Sequence, residues 1–199
     1  MPTKSRAEPL APEQRRKAIV DAVIPLLLES GSSLTTSQIA GAAGVAEGTI
    51  FRVFPDKPSL MFEAVKSSFD PAPELEQLAA IERDLPFEIK LRKAAAIIVQ
   101  RAERVHALAA VLRSMALPAH VSLHDAHKNA IEANSLLFWA ITRLFRDHAH
   151  ELAVEPARAA AAFRGLLFAV SFPLSDPDEL ITADEAIEVL LDGVIKRGV

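Results

Sequence analysis

Residues 35–54 hold side chains whose types and spacing suit contacts with nucleic acid. The stretch reads TTSQIAGAAGVAEGTIFRVF, and a short predicted helix within it turns Glu47, Gly48, Thr49 and Arg52 outward. Carboxylate, hydroxyl and guanidinium groups can hydrogen-bond to base edges or phosphates, and small residues let a helix enter a major groove. The pattern indicates DNA recognition, and the alternative is an αα-hairpin that packs for stability alone.

The spacing of small and apolar residues predicts the framework for that helix. Thr35 and Gln38 form a capping box, which predicts that a helix begins here. Ala40, Gly44 and Ile50 follow at offsets of 4 and 6 residues. A small residue lets a second helix approach, a glycine takes the left-handed turn, and an apolar residue closes the pair. These three positions therefore predict a helix-turn-helix.

The next predicted helix begins within FPDKPSL and offers a further cation. Asp56 has the residue type of an N-cap, so Lys57 would be the first helical residue. That position lies beside the positive end of the helix dipole, where anions bind. We therefore expect Lys57 to contact a phosphate.

Three histidines suggest a competing chemistry. His120, His124 and His127 fall at i, i+4 and i+7 with Asp125 adjacent, as the ligands of a metal ion on one helix face would. A helical enzyme or metal-binding protein that uses His120, His124 and Asp125 is therefore the alternative function. Against it, Pro118 places His120 at the start of a helix, and no His-Glu-x-x-His pattern occurs. Histidines exposed to solvent are the simpler interpretation.

The other residue types that could do chemistry form no enzyme motif. The chain has no cysteine, which excludes disulfides, a thiolate zinc site and a cysteine nucleophile. No serine or threonine stands in a nucleophile motif, and no glycine-rich phosphate loop occurs. We therefore expect no catalytic residues, no metal and no cofactor.

Helices must position all of these groups, because apolar residues recur every three or four positions and no sustained period-2 run occurs. Half of the 199 residues (50%) are hydrophobic, which is enough for a real core. We predict an all-α fold with about nine helices in total. The predicted segments are Pro12–Ser30, 36–43, 46–53, a helix that starts at Asp56, 74–83, 87–102, 103–116, 123–149, 156–172 and 183–197.

Charge is distributed unevenly along the chain. The net charge is −4, yet residues 1–17 hold five basic and two acidic side chains, whereas residues 67–199 hold 14 basic and 19 acidic ones. A basic arm ahead of an acidic body can bind nucleic acid, and a solvated tail is the alternative. The start of the chain lacks the pattern of a signal peptide, and no segment is apolar enough to span a bilayer. We expect a cytoplasmic protein.

From Ile19 to about Val65 the chain resembles the N-terminal DNA-binding domain of the TetR/AcrR family of bacterial transcriptional regulators. The matching stretches are IVDAVIPLLLESG and TTSQIAGAAGVAEGTIFRVFPDKPSLMFEAV. The resemblance implies a three-helix DNA-binding domain with a helix-turn-helix, a connecting fourth helix, and a C-terminal helical domain for ligand binding and dimerisation. We place the first domain at 1–66, with the basic arm at 1–17 and the motif at 35–54, and the second at 67–199.

The resemblance also implies which residues contact DNA. The candidates are Arg16 and Lys17 of the arm, Thr36, Thr49 and Lys57 for the phosphate backbone, Glu47 and Gly48 for base edges, Arg52 for a base or a phosphate, and Phe51 beside them. Phe51 stands where the family usually has a tyrosine, so one hydroxyl is missing. Ala46 stands where a capping serine is common, which weakens the start of the helix by about 1 kcal/mol.

The last two predicted helices are apolar on more than one face, so part of their apolar surface needs a second partner. In the family that it resembles, these helices form a four-helix dimer interface. The alternative is a helix pair buried within a monomer. The candidate interface residues are Phe163, Leu167, Val170, Leu190, Leu191 and Val194.

An effector pocket in the C-terminal domain is a further implication of the resemblance. The candidates combine apolar residues with polar neighbours, which favours a small hydrophobic or amphipathic effector. They are Arg104, Met115, Asn134, Phe138, Trp139, Thr142 and Arg143.

Together these features predict a TetR-type regulator. We expect a homodimer that binds a palindromic DNA operator, acts as a repressor, and is released by its effector. Two alternatives stay open at this point: the helical enzyme or metal-binding protein described above, and a purely structural helical dimer.

Overall fold

The computed structural model of the protein describes residues 11–115, 123–171 and 181–195. Within them the chain is all-α, with one isolated β-bridge between Leu152 and Ile195 and no β-strand, which confirms the predicted fold class. The helices are α1 (Pro12–Ser30), α2 (Thr36–Ala43), α3 (Glu47–Val53), α4 (Lys57–Ser67), α5 (Ala72–Ala79), α6 (Phe87–Arg113), α7 (Leu123–Asp147), α8 (Pro156–Ser171) and α9 (Ala183–Val194), with a 3-10 turn at Gly31–Ser33.

One predicted break between helices is wrong, and one further predicted helix has different bounds. The segments predicted at 87–102 and 103–116 form the single 27-residue helix α6. The sequence VQRAERVH across the predicted break contains no glycine or proline, so nothing there interrupts the backbone hydrogen bonds. The helix predicted at 74–83 begins earlier, at Ala72, because Pro73 fits the first turn of a helix, and it ends at Ala79.

The chain divides into two compact units. The first comprises the described parts of Met1–Ser68 and Ala107–Ser122, and the second those of Phe69–His106 and Leu123–Val199. The domain boundary that we placed at residue 66 stays a prediction.

In the first unit, apolar faces of α1 to α4 enclose a core. Apolar residues of α1 at positions three to four apart point inward, as an amphipathic helix requires. Residues that are almost fully buried include Ile19, Val23, Leu27, Leu34, Ile39, Ile50, Phe54, Leu60 and Met61.

Aromatic side chains occupy the core of the second unit. Phe145 of α7 lies edge-on to Phe87 of α6, with 5.3 Å between ring centroids, and 5.7 Å from Phe163 of α8. At the end of α9, the backbone carbonyl of Val194 accepts a 2.6 Å hydrogen bond from Ala153. This contact joins the end of the chain's last described helix to the loop that follows α7.

A buried ion cluster joins α5 to α6 within the second unit. The Glu74 carboxylate, only 2% exposed, accepts hydrogen bonds from Arg101 at 2.8 Å and from Arg104. Arg101 also donates to the backbone carbonyls of Phe69 and Asp70 at 2.7 and 3.1 Å. Burial lowers the pKa of the Arg101 guanidinium, and the Glu74 carboxylate opposes that shift.

Replacing Glu74 with alanine should destabilise the second unit by about 3 kcal/mol, because it leaves the buried Arg101 charge without its carboxylate. Urea unfolding followed by fluorescence measures this loss, since the single tryptophan, Trp139, belongs to the second unit. Glu76→Ala, an exposed position on the same helix, is the matched control and should change the free energy of unfolding by less than about 0.5 kcal/mol. Equal losses in the two variants would contradict the assigned role of the ion cluster.

Candidate functional site

The turn between α2 and α3 has the geometry that the sequence predicts for a helix-turn-helix. The Thr35 hydroxyl accepts a 3.2 Å hydrogen bond from the Gln38 amide, and the Gln38 side chain accepts one of 2.8 Å from the Thr35 amide. Gly44 ends α2 at φ 64°, a left-handed conformation, and its amide donates to the carbonyls of Ala40 and Gly41. Both predicted features, the capping box and the glycine turn, are confirmed.

Burial then separates the two sides of α3. Ile50 is almost fully buried together with Ile39 and Ala40 of α2, as the predicted seam requires. On the opposite side of α3 the side chains of Glu47, Phe51 and Arg52 are exposed, together with Gly48. The phenyl ring of Phe51 is 53% exposed and follows the polar Glu47 and precedes Arg52 along this outward side.

The ends of these helices differ in how they are capped. Ala46 supplies no side-chain hydrogen bond to the start of α3, whereas the Asp56 carboxylate accepts a 2.7 Å bond from the Ser59 amide at the start of α4. The ammonium of Lys57 donates to the Ser32 carbonyl at 3.3 Å. Lys57 therefore lies in the first turn of α4, as predicted, and also binds the loop that precedes α2.

The two candidate DNA-contacting residues of the arm, Arg16 and Lys17, have different surroundings. Arg16 donates to the Val53 carbonyl at 3.1 Å, lies 3.6 Å from the Glu63 carboxylate, and stands over the ring of Phe54 at 4.3 Å. Lys17 pairs with Asp21 one turn along the same helix. Arg16 thus holds the end of α3, a role that no local sequence signal could have revealed.

The second unit contains a cavity of about 490 Å³ between α6, α7 and α8. Its lining is mostly apolar, and the described lining residues include no carboxylate. Polar groups on its wall are Arg101, Asn134, Arg164 and Ser171; apolar ones include Ile98, Val105, Leu137, Phe138, Ile141 and Phe168. We refer to this space as the large cavity.

A small cavity of about 260 Å³ lies elsewhere in the same unit, between α5, the start of α6 and the end of α7. Its described lining residues are all different from those of the large cavity. Helix α7 contributes to both, with Phe138 and Ile141 lining the large cavity and Arg143 and Leu144 lining the small one.

The predicted effector residues are thus divided among several places. Asn134 and Phe138 line the large cavity, and Arg143 lines the small one. The other four residues line neither cavity. Arg104 pairs with Glu74, and Thr142 is buried and donates to the Phe138 carbonyl. Trp139 is exposed beside Arg146, and Met115 belongs to the first unit. Sequence reasoning missed Arg164 and Phe168, since nothing local distinguishes them from other residues of α8.

The predicted interface residues differ in burial within one chain. Phe163, Leu167, Leu190 and Val194 are buried in the core of the second unit, and Val170 and Leu191 are half-buried. The exposed apolar side chains of α8 and α9 are instead Phe168 at 59% and Val189 at 62% exposure.

The histidine hypothesis gains no support from the described residues. His124 and His127 are exposed on α7, His120 lies outside the described residues, and so does the side chain of Asp125. Among the residues whose side chains are described, no group of three or more His, Asp or Glu is placed to hold a metal ion. None of the described helices is long and apolar enough to cross a membrane.

Gly44→Ala should destabilise the helix-turn-helix by about 1–2 kcal/mol, because alanine resists the left-handed conformation that this position adopts. Hydrogen exchange of the α2 and α3 amides measures the effect. Gly48→Ala is the control: this glycine lies inside α3 with nothing within 4 Å of an added methyl group, so protection should stay the same or rise. Similar behaviour of the two variants would rule out the backbone explanation.

The comparisons with known proteins agree with this geometry. A family model for bacterial regulatory proteins of the tetR family matches residues 19–64, which include α2, the turn and α3. The matched residues are those that form the core of the first unit and its outward-facing helix.

Solved structures share the fold over nearly the whole chain. One, described as a TetR-family transcriptional regulator from Mesorhizobium loti, has a TM-score of 0.64 at 15% identity and covers 94% of this chain and 100% of its own. A second, described as a transcriptional regulator from Rhodococcus sp. RHA1, has a TM-score of 0.59 at 17% identity and covers 91% of this chain and 95% of its own. The SmeT–triclosan complex has a TM-score of 0.53 at 18% identity, and the coverage is 93% of both chains.

These identities show a shared fold, and the tetR family model matches the N-terminal residues 19–64. Residues 19–64 therefore form a helix-turn-helix domain that matches the tetR family model, in a chain that shares the fold of solved structures described as TetR-family regulators.

Proposed function

We propose that this regulator is a homodimeric repressor that binds a palindromic operator through α3 and leaves it when a small hydrophobic or amphipathic molecule enters the large cavity. The observation that carries the proposal is the exposed face of α3, which has polar and small residues on a helix-turn-helix of the TetR family. Exposed polar side chains on the second helix of such a motif are the groups that read a major groove.

On that face, Arg52 is the strongest candidate for base recognition. Its guanidinium has no hydrogen-bond or ion-pair partner among the described residues, so it is available for the two acceptors of a guanine. Gly48 has no side chain, which lets the helix approach the groove floor, and Glu47 can accept a hydrogen bond from a cytosine amino group. The apolar ring of Phe51 suits a thymine methyl group.

Phosphate contacts would fix the position of α3 on the duplex. Thr36 lies in the first turn of α2 and Lys57 in the first turn of α4, and helix N-termini favour anions. Thr49, half-buried on α3, and Lys17, exposed on α1, supply further donors. Arg16 acts in our proposal by holding the end of α3, because its contacts to Val53, Glu63 and Phe54 already engage its guanidinium.

A second copy of the chain would cover the outward face of α8 and α9. Phe168 and Val189 are exposed there, and Gly165 and Gly193 add no side chain that could block the approach of another helix. Two copies related by a two-fold axis would present two copies of α3, which matches a palindromic operator. The half-buried Val170 and Leu191 would become fully buried in the same interface.

The large cavity supports an effector role. Its volume lies within the range of about 300–1,000 Å³ that small-molecule sites have, and its wall is apolar with a few polar groups. The related fold of SmeT has been determined as a complex with triclosan. The effector would release the protein from DNA only if it bound the DNA-incompetent arrangement more tightly than the DNA-competent one. Equal affinity for the two arrangements would leave their populations unchanged.

Selection from random DNA duplexes tests the proposal. The purified protein should enrich a palindrome, and Arg52→Ala should weaken binding to it by about tenfold or more, as loss of one bidentate base contact would. Arg113→Ala, which removes an exposed arginine outside the helix-turn-helix, should leave the affinity within about twofold. Gly48→Ala should also weaken binding, while the folded protein stays as stable as the wild type.

No enrichment at low salt, where phosphate contacts are strongest, would overturn the proposal of operator binding. Equal losses in Arg52→Ala and Arg113→Ala would overturn the assignment of α3 as the helix that reads the bases.

Val189→Glu should convert the dimer to a monomer, because it places a charge at the centre of an apolar interface. Sedimentation velocity measures the change, and operator affinity should fall with it. Ile131→Glu, at an exposed apolar position on α7, is the control and should leave the sedimentation of the dimer unchanged. If Val189→Glu remains a dimer, this face of α9 is not the interface.

A further inference from the structure

We propose that the small cavity is a separate binding site for a small organic acid, a compact apolar molecule with one carboxylate. It lies in the second unit between α5, the start of α6 and the end of α7. The proposal rests on an uncompensated buried cation, on the charge of the surrounding side chains and on the apolar remainder of the wall.

The buried cation is Lys90 on α6, whose residue is only 7% exposed. Its ammonium donates to the Arg83 carbonyl and lies 2.8 Å from Nε2 of His148. No carboxylate of the described residues lies within ion-pair distance of it. Burying an ammonium without an opposite charge is costly, so this site lacks a negative charge.

The neighbouring imidazole is held in a fixed orientation. Because the Lys90 ammonium can only donate, Nε2 of His148 accepts and the ring proton lies on Nδ1, which donates to the Glu151 carboxylate at 2.6 Å. The ring also stacks on Phe87, with 4.6 Å between centroids. Glu151 therefore reaches Lys90 only through the ring, and the ammonium still faces the cavity without a carboxylate of its own.

Other charged side chains of the wall add to the positive potential. Arg83 and Arg143 are exposed lining residues, and neither has an ion-pair partner among the described residues. Asp147 is the one acidic residue in the described lining. Lys90, Arg83 and Arg143 against Asp147 leave two positive charges in excess among these lysine, arginine and aspartate side chains, in a protein whose net charge is −4. An anion is the ligand that this imbalance favours.

The rest of the wall selects among anions. Leu75 and Leu78 of α5, with Ile81 and Leu144, give the cavity an apolar side that an inorganic ion would not use. The volume of about 260 Å³ is just below the range of drug-sized sites, so the molecule is smaller than a drug. A carboxylate beside Lys90 and Arg143, with a short hydrocarbon or single-ring body against the leucines, satisfies both requirements.

Calorimetric titration of the full chain with benzoate, and with benzamide as its neutral counterpart, tests the site. Benzoate should bind with a dissociation constant below about 1 mM, and benzamide at least about tenfold more weakly. Lys90→Met and Arg143→Gln should each weaken benzoate binding by about tenfold or more, because each removes a charged donor. The matched controls are Lys93→Met and Arg146→Gln, exposed residues of the same two helices that do not line the cavity.

The outcomes separate the possible explanations. Absence of benzoate binding, or equal binding of benzamide, would overturn the proposal of an anion site. Binding that survives both Lys90→Met and Arg143→Gln would place benzoate elsewhere and overturn it too. If the buried substitution at Lys90 prevents folding, Arg143→Gln decides alone, since Arg143 is exposed.

Discussion

The left-handed turn at Gly44 is the constraint on which the helix-turn-helix of this molecule depends. A backbone at φ 64° with its amide on the last carbonyls of α2 sets the direction in which α3 leaves the turn. That direction buries Ile50 and leaves Arg52 outside. If the turn took another conformation, the same α3 sequence would still form a helix, but its polar side would no longer be the outer one. The outward face of α3 is thus set by one backbone angle as much as by its side chains.

Long cationic side chains perform a comparable positioning task in both units. Arg16 ties α1 to the end of α3, and Arg101 ties α6 to Glu74 and to the backbone just before α5. Lys90 holds the loop before α6 through the Arg83 carbonyl. In each case a long cationic side chain donates hydrogen bonds to backbone carbonyls that lack a partner within a helix. The hydrocarbon stem of the side chain adds apolar packing. These contacts fix loops, which the apolar cores alone do not orient.

Features set by neighbouring residues were predictable from the sequence, and features set by distant ones were not. The cap of α2 at Thr35 and that of α4 at Asp56 are local, and both were predicted. The partnership of Arg101 with Glu74 joins residues 27 positions apart, and periodicity carries no information about it. On α8, which is apolar almost all round, Leu167 is buried and Phe168 is exposed, although the two are adjacent. A sequence pattern cannot tell which of several apolar faces meets the core.

Helix α7 forms a wall of two cavities that have no described lining residue in common. A molecule that shifts or rigidifies this helix from one side changes the energy of binding on the other side. Such a linkage is necessarily reciprocal: the factor by which the first molecule alters the affinity of the second equals the factor in the opposite direction. A protein built in this way would couple two cavities through a single helix, and its response to one bound molecule would depend on the concentration of the other.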